Sequence, residues 1–207
     1  MIRLATVDNH EVVREGVAAR ISAVAPQIEV VASTGTVEEL LALDAEPTVV
    51  LLDLWLEEGD SLAHIPVLTA RTRVLLYTTE QRPVPLRAAV SLGASGLSLK
   101  SDPLDSVVEG VGSVAAGEFF CSGALAHALL TDQRAVAELS DRQVEILQAL
   151  SDGLDYRGVA ALLDCSQGAV KTHLSRVRDK FEAIGHQPGN SHHLTRLATE
   201  QGYLQRS

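Results

Sequence analysis

Val49-Val50-Leu51-Leu52-Asp53 is the stretch that decides the fold. Four apolar residues in a row, two of them β-branched, suit a strand buried on both faces of a parallel sheet. A strand with one wet face would alternate instead. Outward from it, Ile2 to Val7, Glu29 to Ala32, Val74 to Tyr77 and Gly96 to Leu99 are further short β-rich runs. The segments between them read as helices: Val12 to Val24, Val37 to Leu43, a weak stretch around Leu62 to Leu68, Leu86 to Leu92, and Leu104 to Ala116 after Asp102-Pro103. Strand and helix in alternation, joined by right-handed crossovers, predict an α/β domain with a doubly wound five-stranded parallel sheet over residues 1–117.

In such sheets ligands sit at the carboxyl ends of the strands. Strand one ends in Asp8-Asn9, strand three in Asp53, strand four in Thr78-Thr79 and strand five in Lys100. Asp8 and Asp53 supply hard oxygen ligands suited to Mg²⁺, Thr78 a hydroxyl donor and Lys100 a mobile point charge for an anion. Any one of them alone is an ordinary strand-end polar residue. Together they suit phosphoryl chemistry, in which a carboxylate attacks phosphorus while a metal and a cation offset the charge.

Composition excludes several classes. The chain has 207 residues, 46% of them apolar and 21% charged, which fits a globular chain of two modest domains rather than a disordered one. The run from Val49 to Leu56 is broken by Asp53 and falls far short of the roughly 20 residues of a membrane span. The first residues carry no signal-peptide pattern, so a cytoplasmic protein without membrane attachment is expected. Cys121 and Cys165 stand far apart without a CxxC partner, which gives neither a disulfide framework nor a zinc site. Competing α/β activities lack their motifs. The first turn reads Val7-Asp8-Asn9-His10-Glu11-Val12 with no glycine, against a dinucleotide enzyme, and no P-loop lysine motif occurs. A phosphatase with an aspartyl nucleophile is better served by a carboxylate two residues after Asp53, where Trp55 stands.

Net charge is −10, but it is unevenly placed. Residues 1–137 carry 9 Lys+Arg against 18 Asp+Glu, and residues 138–207 carry 8 against 9. Within the second part, Ser166 to Lys180 holds Lys171, Arg176, Arg178 and Lys180 against Asp179 alone, a local positive cluster.

Residues 118–137 read as a partly helical linker. Beyond it, Ser140 and Gln143 form a capping box that opens a helix, which Gly153 is placed to end. A second helix is expected around Tyr156 to Leu163. After the break Asp164-Cys165-Ser166, a third starts with Ser166 as its cap and runs to about Phe181. Helix, tight turn, helix is a DNA-binding arrangement. On the third helix Val170, Leu174, Val177 and Phe181 share one sector and form a buried seam. Thr172, Ser175 and Arg176 lie opposite, with cations on both flanks. At roughly 22 Å such a helix can lie in the major groove. His192-His193 are adjacent and point apart, a poor metal site, and His10 is expected to face solvent.

The first part resembles a response-regulator receiver domain, flavodoxin-like in fold. The resemblance rests on Asp8-Asn9-His10-Glu11-Val12-Val13-Arg14-Glu15-Gly16, Leu51-Leu52-Asp53-Leu54 and Gly93-Ala94-Ser95-Gly96 leading to Lys100. It implies Asp53 as phosphoacceptor, Thr78 as switch hydroxyl, Lys100 as the lysine that pairs with the phosphoryl group, and Asp8, Asn9, Asp53 and the Trp55 carbonyl as the Mg²⁺ site. The sequence departs from the pattern at Asn9, where the family has a second acid, at Leu56-Glu57 in place of Met-Pro, and at Leu97 in place of the aromatic switch residue. The second part is similar to the LuxR-type helix-turn-helix domain over Leu139 to Gly153 and Gly168 to Val177. That likeness implies Lys171, Thr172 and Ser175 as base readers and Arg176, Arg178 and Lys180 as phosphate contacts. The connection from Ala183 to Asn190 is longer than the family's.

Both resemblances imply a two-component response regulator of the NarL/LuxR type, a transcription factor rather than an enzyme. Its expected partners are a sensor histidine kinase, double-stranded promoter DNA and, when active, a second copy of itself. Two alternatives stay open at this point. One is a DNA-binding regulator that works without phosphate, and the other a metal-dependent phosphohydrolase.

Overall fold

The computed structural model describes residues 1–57, 59–130 and 136–204. Contacts between Cα atoms divide the chain into two compact units, Met1–Gln81 with Leu86–Ala128, and Arg82–Pro85 with Leu129–Ser207. The first unit is a parallel sheet wrapped by helices. Its strands are β1 (Ile2–Val7), β2 (Ile28–Thr34), β3 (Val49–Leu52), β6 (Arg73–Thr78), β7 (Gly96–Leu99) and β8 (Phe120–Cys121), in the order β2-β1-β3-β6-β7-β8. A separate two-residue pairing, β4 (Trp55–Leu56) with β5 (Gly59–Asp60), folds the segment after β3 back on itself.

The expected five strands are present, and β8 adds a sixth at the edge, beside β7. It falls in what the sequence suggests is the start of the linker, since a two-residue strand has no periodicity to read. Of that linker, α6 (Gly123–Leu130) is helical and residues 131–135 lie outside the described residues. The helices α1 (Glu11–Val24), α2 (Val37–Ala42), α4 (Pro83–Ser91) and α5 (Leu104–Ala116) occupy the expected connections. The weak third helix is a 3-10 turn, Leu62–His64, followed by the five-residue α3 (Ile65–Thr69). Pro66 explains its form, because proline is tolerated only in a first helical turn.

All four residues of β3 are buried. Val49 and Leu51 join Leu4, Leu75 and Tyr77 in one core with Ile21 of α1 and Val107, Val111 and Val114 of α5. Val50 and Leu52, which point the other way, are equally buried, so both faces of the strand are covered.

The second unit is helical. It contains α7 (Asp141–Ser151), α8 (Tyr156–Leu162), α9 (Gln167–Ala183) and α10 (Ser191–Gln201), around a core that includes Ile146, Leu147, Val159, Val170, Leu174, Val177, Phe181, Leu194 and Leu197. Gln143 Oε1 accepts from the Ser140 N–H at 3.0 Å, and Gly153 turns the chain out of α7 at φ +91°. Asp155, Ser166 and Asn190 cap α8, α9 and α10 by accepting the N–H of Gly158, Ala169 and His193. The stretch before α7 belongs to no helix, yet its backbone is held firmly. The Ala137 N–H donates to Gln201 Oε1 at 3.0 Å, the Leu139 N–H to the Tyr203 hydroxyl at 3.2 Å, and that hydroxyl donates to the Ala137 carbonyl.

Candidate functional site

Strand register brings the acids together. Val7 pairs with Leu52, and the Asp53 N–H donates to the Val7 carbonyl at 2.9 Å, so Asp8 and Asp53 leave neighbouring strand tips at the point where the strand order reverses. On the other side of β3, Thr78 pairs with Leu99, and the Lys100 N–H donates to the Thr78 carbonyl at 2.9 Å. The Lys100 ammonium reaches across the rim and bridges both acids, 2.6 Å from Asp53 Oδ2 and 2.7 Å from Asp8 Oδ2.

Both carboxylates are nearly removed from water, at 4% exposure each. Burial pushes the Asp53 carboxyl above its ordinary value. The Lys100 hydrogen bond and charge pull it back, and the Asp8 charge adds to the rise. Burial also acts against the Lys100 ammonium, but the hydrogen bonds and charges of Asp53 and Asp8 outweigh it and hold that ammonium above its ordinary value. Two carboxylates share one ammonium, which leaves an excess of negative charge at the tips.

Asp8, His10 and Asp53 each bring one ligand atom within 4.8 Å of the others. His10 does face solvent, with its side chain 65% exposed, and its Nδ1 lies 3.3 Å from Asp8 Oδ1. Asn9 Oδ1 is buried without a hydrogen-bond partner. The Asp8, His10 and Asp53 atoms are consistent with a metal site, and Asn9, next to Asp8 in sequence, carries a buried amide oxygen still open to a partner. The Trp55 N–H points to Asp53 Oδ1 at 3.4 Å. Thr78 is fully buried at the end of β6, where its hydroxyl accepts the Glu80 N–H at 3.1 Å.

Five residues of the site were not singled out from sequence. Arg14 donates to the Asp8 carbonyl, and the Ser61 hydroxyl to the Asp53 carbonyl at 2.8 Å. Asp102 turns back to accept the Leu99 N–H at 2.6 Å and the Ser98 hydroxyl at 3.1 Å, which fixes the turn that carries Lys100. The Tyr77 hydroxyl reaches the Lys100 carbonyl at 3.5 Å, and Glu80 accepts the Trp55 indole N–H at 3.2 Å. Asp102 alone leaves a sequence signal: an Asp two residues after a strand-end Lys and just before Pro is a turn former.

In the second unit, Asp164 makes the turn between α8 and α9 in the left-handed region, at φ +47°, which aspartate tolerates better than most residues. The expected seam on α9 is buried at all four positions, Val170, Leu174, Val177 and Phe181. Lys171, Thr172, Ser175 and Arg176 are exposed on the opposite face, while Arg178 and Lys180 are half-buried. The last two have protein partners: Arg178 Nε donates to the Pro188 carbonyl at 3.4 Å, and the Lys180 ammonium to the Glu138 carbonyl and to Gln143 Oε1, the latter at 2.9 Å. His193 Nε2 lies 2.8 Å from Arg196 Nη2.

Comparison with known proteins agrees with this geometry. Residues 137–187 match the family described as bacterial regulatory proteins, luxR family. The chain is 30% identical over 193 residues to the DNA-binding transcriptional activator DevR/DosR of Mycobacterium tuberculosis, covering 87% of this chain and 88% of that protein. It is 29% identical to the nitrate/nitrite response regulator protein NarL of Escherichia coli K12, with 85% and 87% covered. A solved structure of two RcsB dimers bound to two parallel DNAs shares the fold at TM-score 0.65 and 18% identity, over 96% of this chain and 98% of that one. Sheet, acidic rim and helix-turn-helix define a class, the DNA-binding transcriptional response regulator controlled by phosphorylation, which is not an enzyme. Within that class the chain belongs to the NarL/LuxR family of two-component response regulators.

Proposed function

We propose that a sensor histidine kinase phosphorylates Asp53, and that the phosphorylated protein binds double-stranded promoter DNA as a homodimer in the cytoplasm. Residues 1–117 are the receiver, 118–137 the linker and 138–207 the DNA-binding domain. Among the described residues no helix is long and apolar enough to cross a membrane. The observation that carries the proposal is the Lys100 bridge at 2.6 and 2.7 Å to Asp53 and Asp8. Two carboxylates and one ammonium in mutual contact support Asp53 as the phosphoacceptor and Lys100 as the cation that pairs with the group it receives.

Asp53 attacks phosphorus, the bond from phosphorus to the kinase imidazole nitrogen breaks, and that nitrogen keeps the electron pair. Asp8, Asn9 Oδ1, Asp53 and the Trp55 carbonyl would hold Mg²⁺, whose charge would offset that of the nonbridging oxygens. Lys100 then gives up its double bridge and pairs with the phosphoryl group, to which the Thr78 hydroxyl donates. Lys171, Thr172 and Ser175 read bases and Arg176 contacts phosphate. Arg178 and Lys180 add phosphate contacts through the N–H groups that their protein acceptors leave over.

Acetyl phosphate with Mg²⁺ tests the chemistry. The expected result is an acid-stable, base-labile acyl phosphate that Asp53→Ala abolishes. A wild-type protein that stays unlabelled at millimolar donor overturns it.

A further inference from the structure

We propose that Trp55 and Glu80 are positioning residues for phosphoryl transfer, which hold the Thr78 hydroxyl ready to donate to the group on Asp53. The inference deepens the proposed function and rests on its assignment of Asp53 and Thr78. Three hydrogen bonds carry it. The Trp55 backbone N–H points to Asp53 Oδ1 at 3.4 Å, the Trp55 indole N–H donates to Glu80 Oε2 at 3.2 Å, and the Glu80 N–H donates to Thr78 Oγ1 at 3.1 Å. The path runs from the phosphoacceptor, over the segment after β3, to the end of β6.

Glu80 is 6% exposed, so its carboxylate is not a mobile surface group, and its second oxygen accepts the Gln81 N–H at 3.0 Å. An indole N–H that fixes this carboxylate also fixes the backbone that follows Thr78. The Glu80 N–H then fills one acceptor position of the Thr78 hydroxyl, which leaves the proton to be donated elsewhere. A hydroxyl that accepts from an N–H is also a better donor, because chains of hydrogen bonds polarise one another. The Trp55 indole and the Glu80 carboxylate thus act on the reaction through Thr78, while the one contact of this pair with Asp53 is made by the Trp55 backbone.

The test is the initial rate of acyl-phosphate formation from acetyl phosphate and Mg²⁺ in the full chain. Trp55→Phe, which keeps an aromatic ring and removes the N–H, is expected to slow it about tenfold. Glu80→Leu breaks the same link from the other side and should give a similar deficit. Thr78→Val should also slow it about tenfold, and the Trp55→Phe Thr78→Val double variant should be no slower than Thr78→Val alone, because both changes remove one effect. A Trp55→Phe rate within twofold of wild type overturns the proposal, as does a double variant that shows the full product of the single losses. In either case the labelled wild type leaves the assignment of Asp53 standing, whereas an unlabelled wild type overturns both. Thermal unfolding of each variant identifies one that has lost its fold, and the other variants then decide.

Discussion

Asp53 and Asp8 share the single ammonium of Lys100 while both are buried, so the rim holds more negative charge than it can pair. Such a site is stabilised by removing one acid. Burial raises the Asp53 carboxyl above its reference value of 3.8, so the folded chain holds that proton more tightly than the unfolded one. The stability linked to this group is therefore fully present below the unfolded value and lost as pH rises through the folded one. Asp53→Asn is accordingly expected to raise unfolding free energy by about 1 kcal/mol at pH 7. The gain should fade as pH falls toward 4, and urea unfolding at the two pH values checks it. Asn9→Asp should act on metal affinity. A carboxylate in place of the orphan amide oxygen is expected to tighten Mg²⁺ binding at least tenfold, about 1.4 kcal/mol, read through fluorescence of Trp55, the chain's one tryptophan. Glu57 is exposed, and Glu58 lies outside the described residues; equal affinities would mean that a glutamate already supplies the charge. Asp8, Asp53 and Lys100 were legible because each sits one residue beyond a strand. Arg14, Ser61 and Tyr77 were not, since each acts on a backbone carbonyl 6, 8 or 23 positions away, and only the folded path of the chain between brings the two together.

At the scale of elements, α9 combines a buried seam with an exposed polar face, and the two should respond separately. Arg176→Ala removes an exposed cation, so the slope of log affinity against log salt should fall by about one unit with the melting temperature unchanged. Lys180→Ala should differ, because its ammonium also ties α9 to Glu138 and Gln143, and a lower melting temperature is expected along with any change in slope. Phe181→Ala empties a fully buried site and is expected to cost about 3–5 kcal/mol in chemical denaturation. The limits of β1, β3, β7 and α5 follow directly from sequence, since apolar runs and a clear start mark them. The start of α4 does not. It begins at Pro83, three residues ahead of the expected Leu86, because Pro83 and Pro85 stand in its first turn, where no intrahelical donor is needed. The short β8 and the broken third helix were beyond reach, as two to five residues carry no period.

Across the whole molecule, the change from an α/β part to a helical part could be read from strand and helix periodicity, and the charge counts set an acidic first part against a nearly neutral second. Tertiary hydrogen bonds to irregular backbone could not, and the segment ahead of α7 is the example. Its three bonds to Gln201 and Tyr203 join residues 64 to 66 positions apart. Amide hydrogens in a segment without helix or strand ordinarily exchange with deuterium from solvent in moments. Those of Ala137 and Leu139 are instead bonded to Gln201, the last residue of α10, and to Tyr203 just beyond it, and they should exchange only when that end detaches. Tyr203→Phe should speed exchange at Leu139 far more than in the interior of α9. Two amides outside any regular element thus become a solution clock for the fraying of α10.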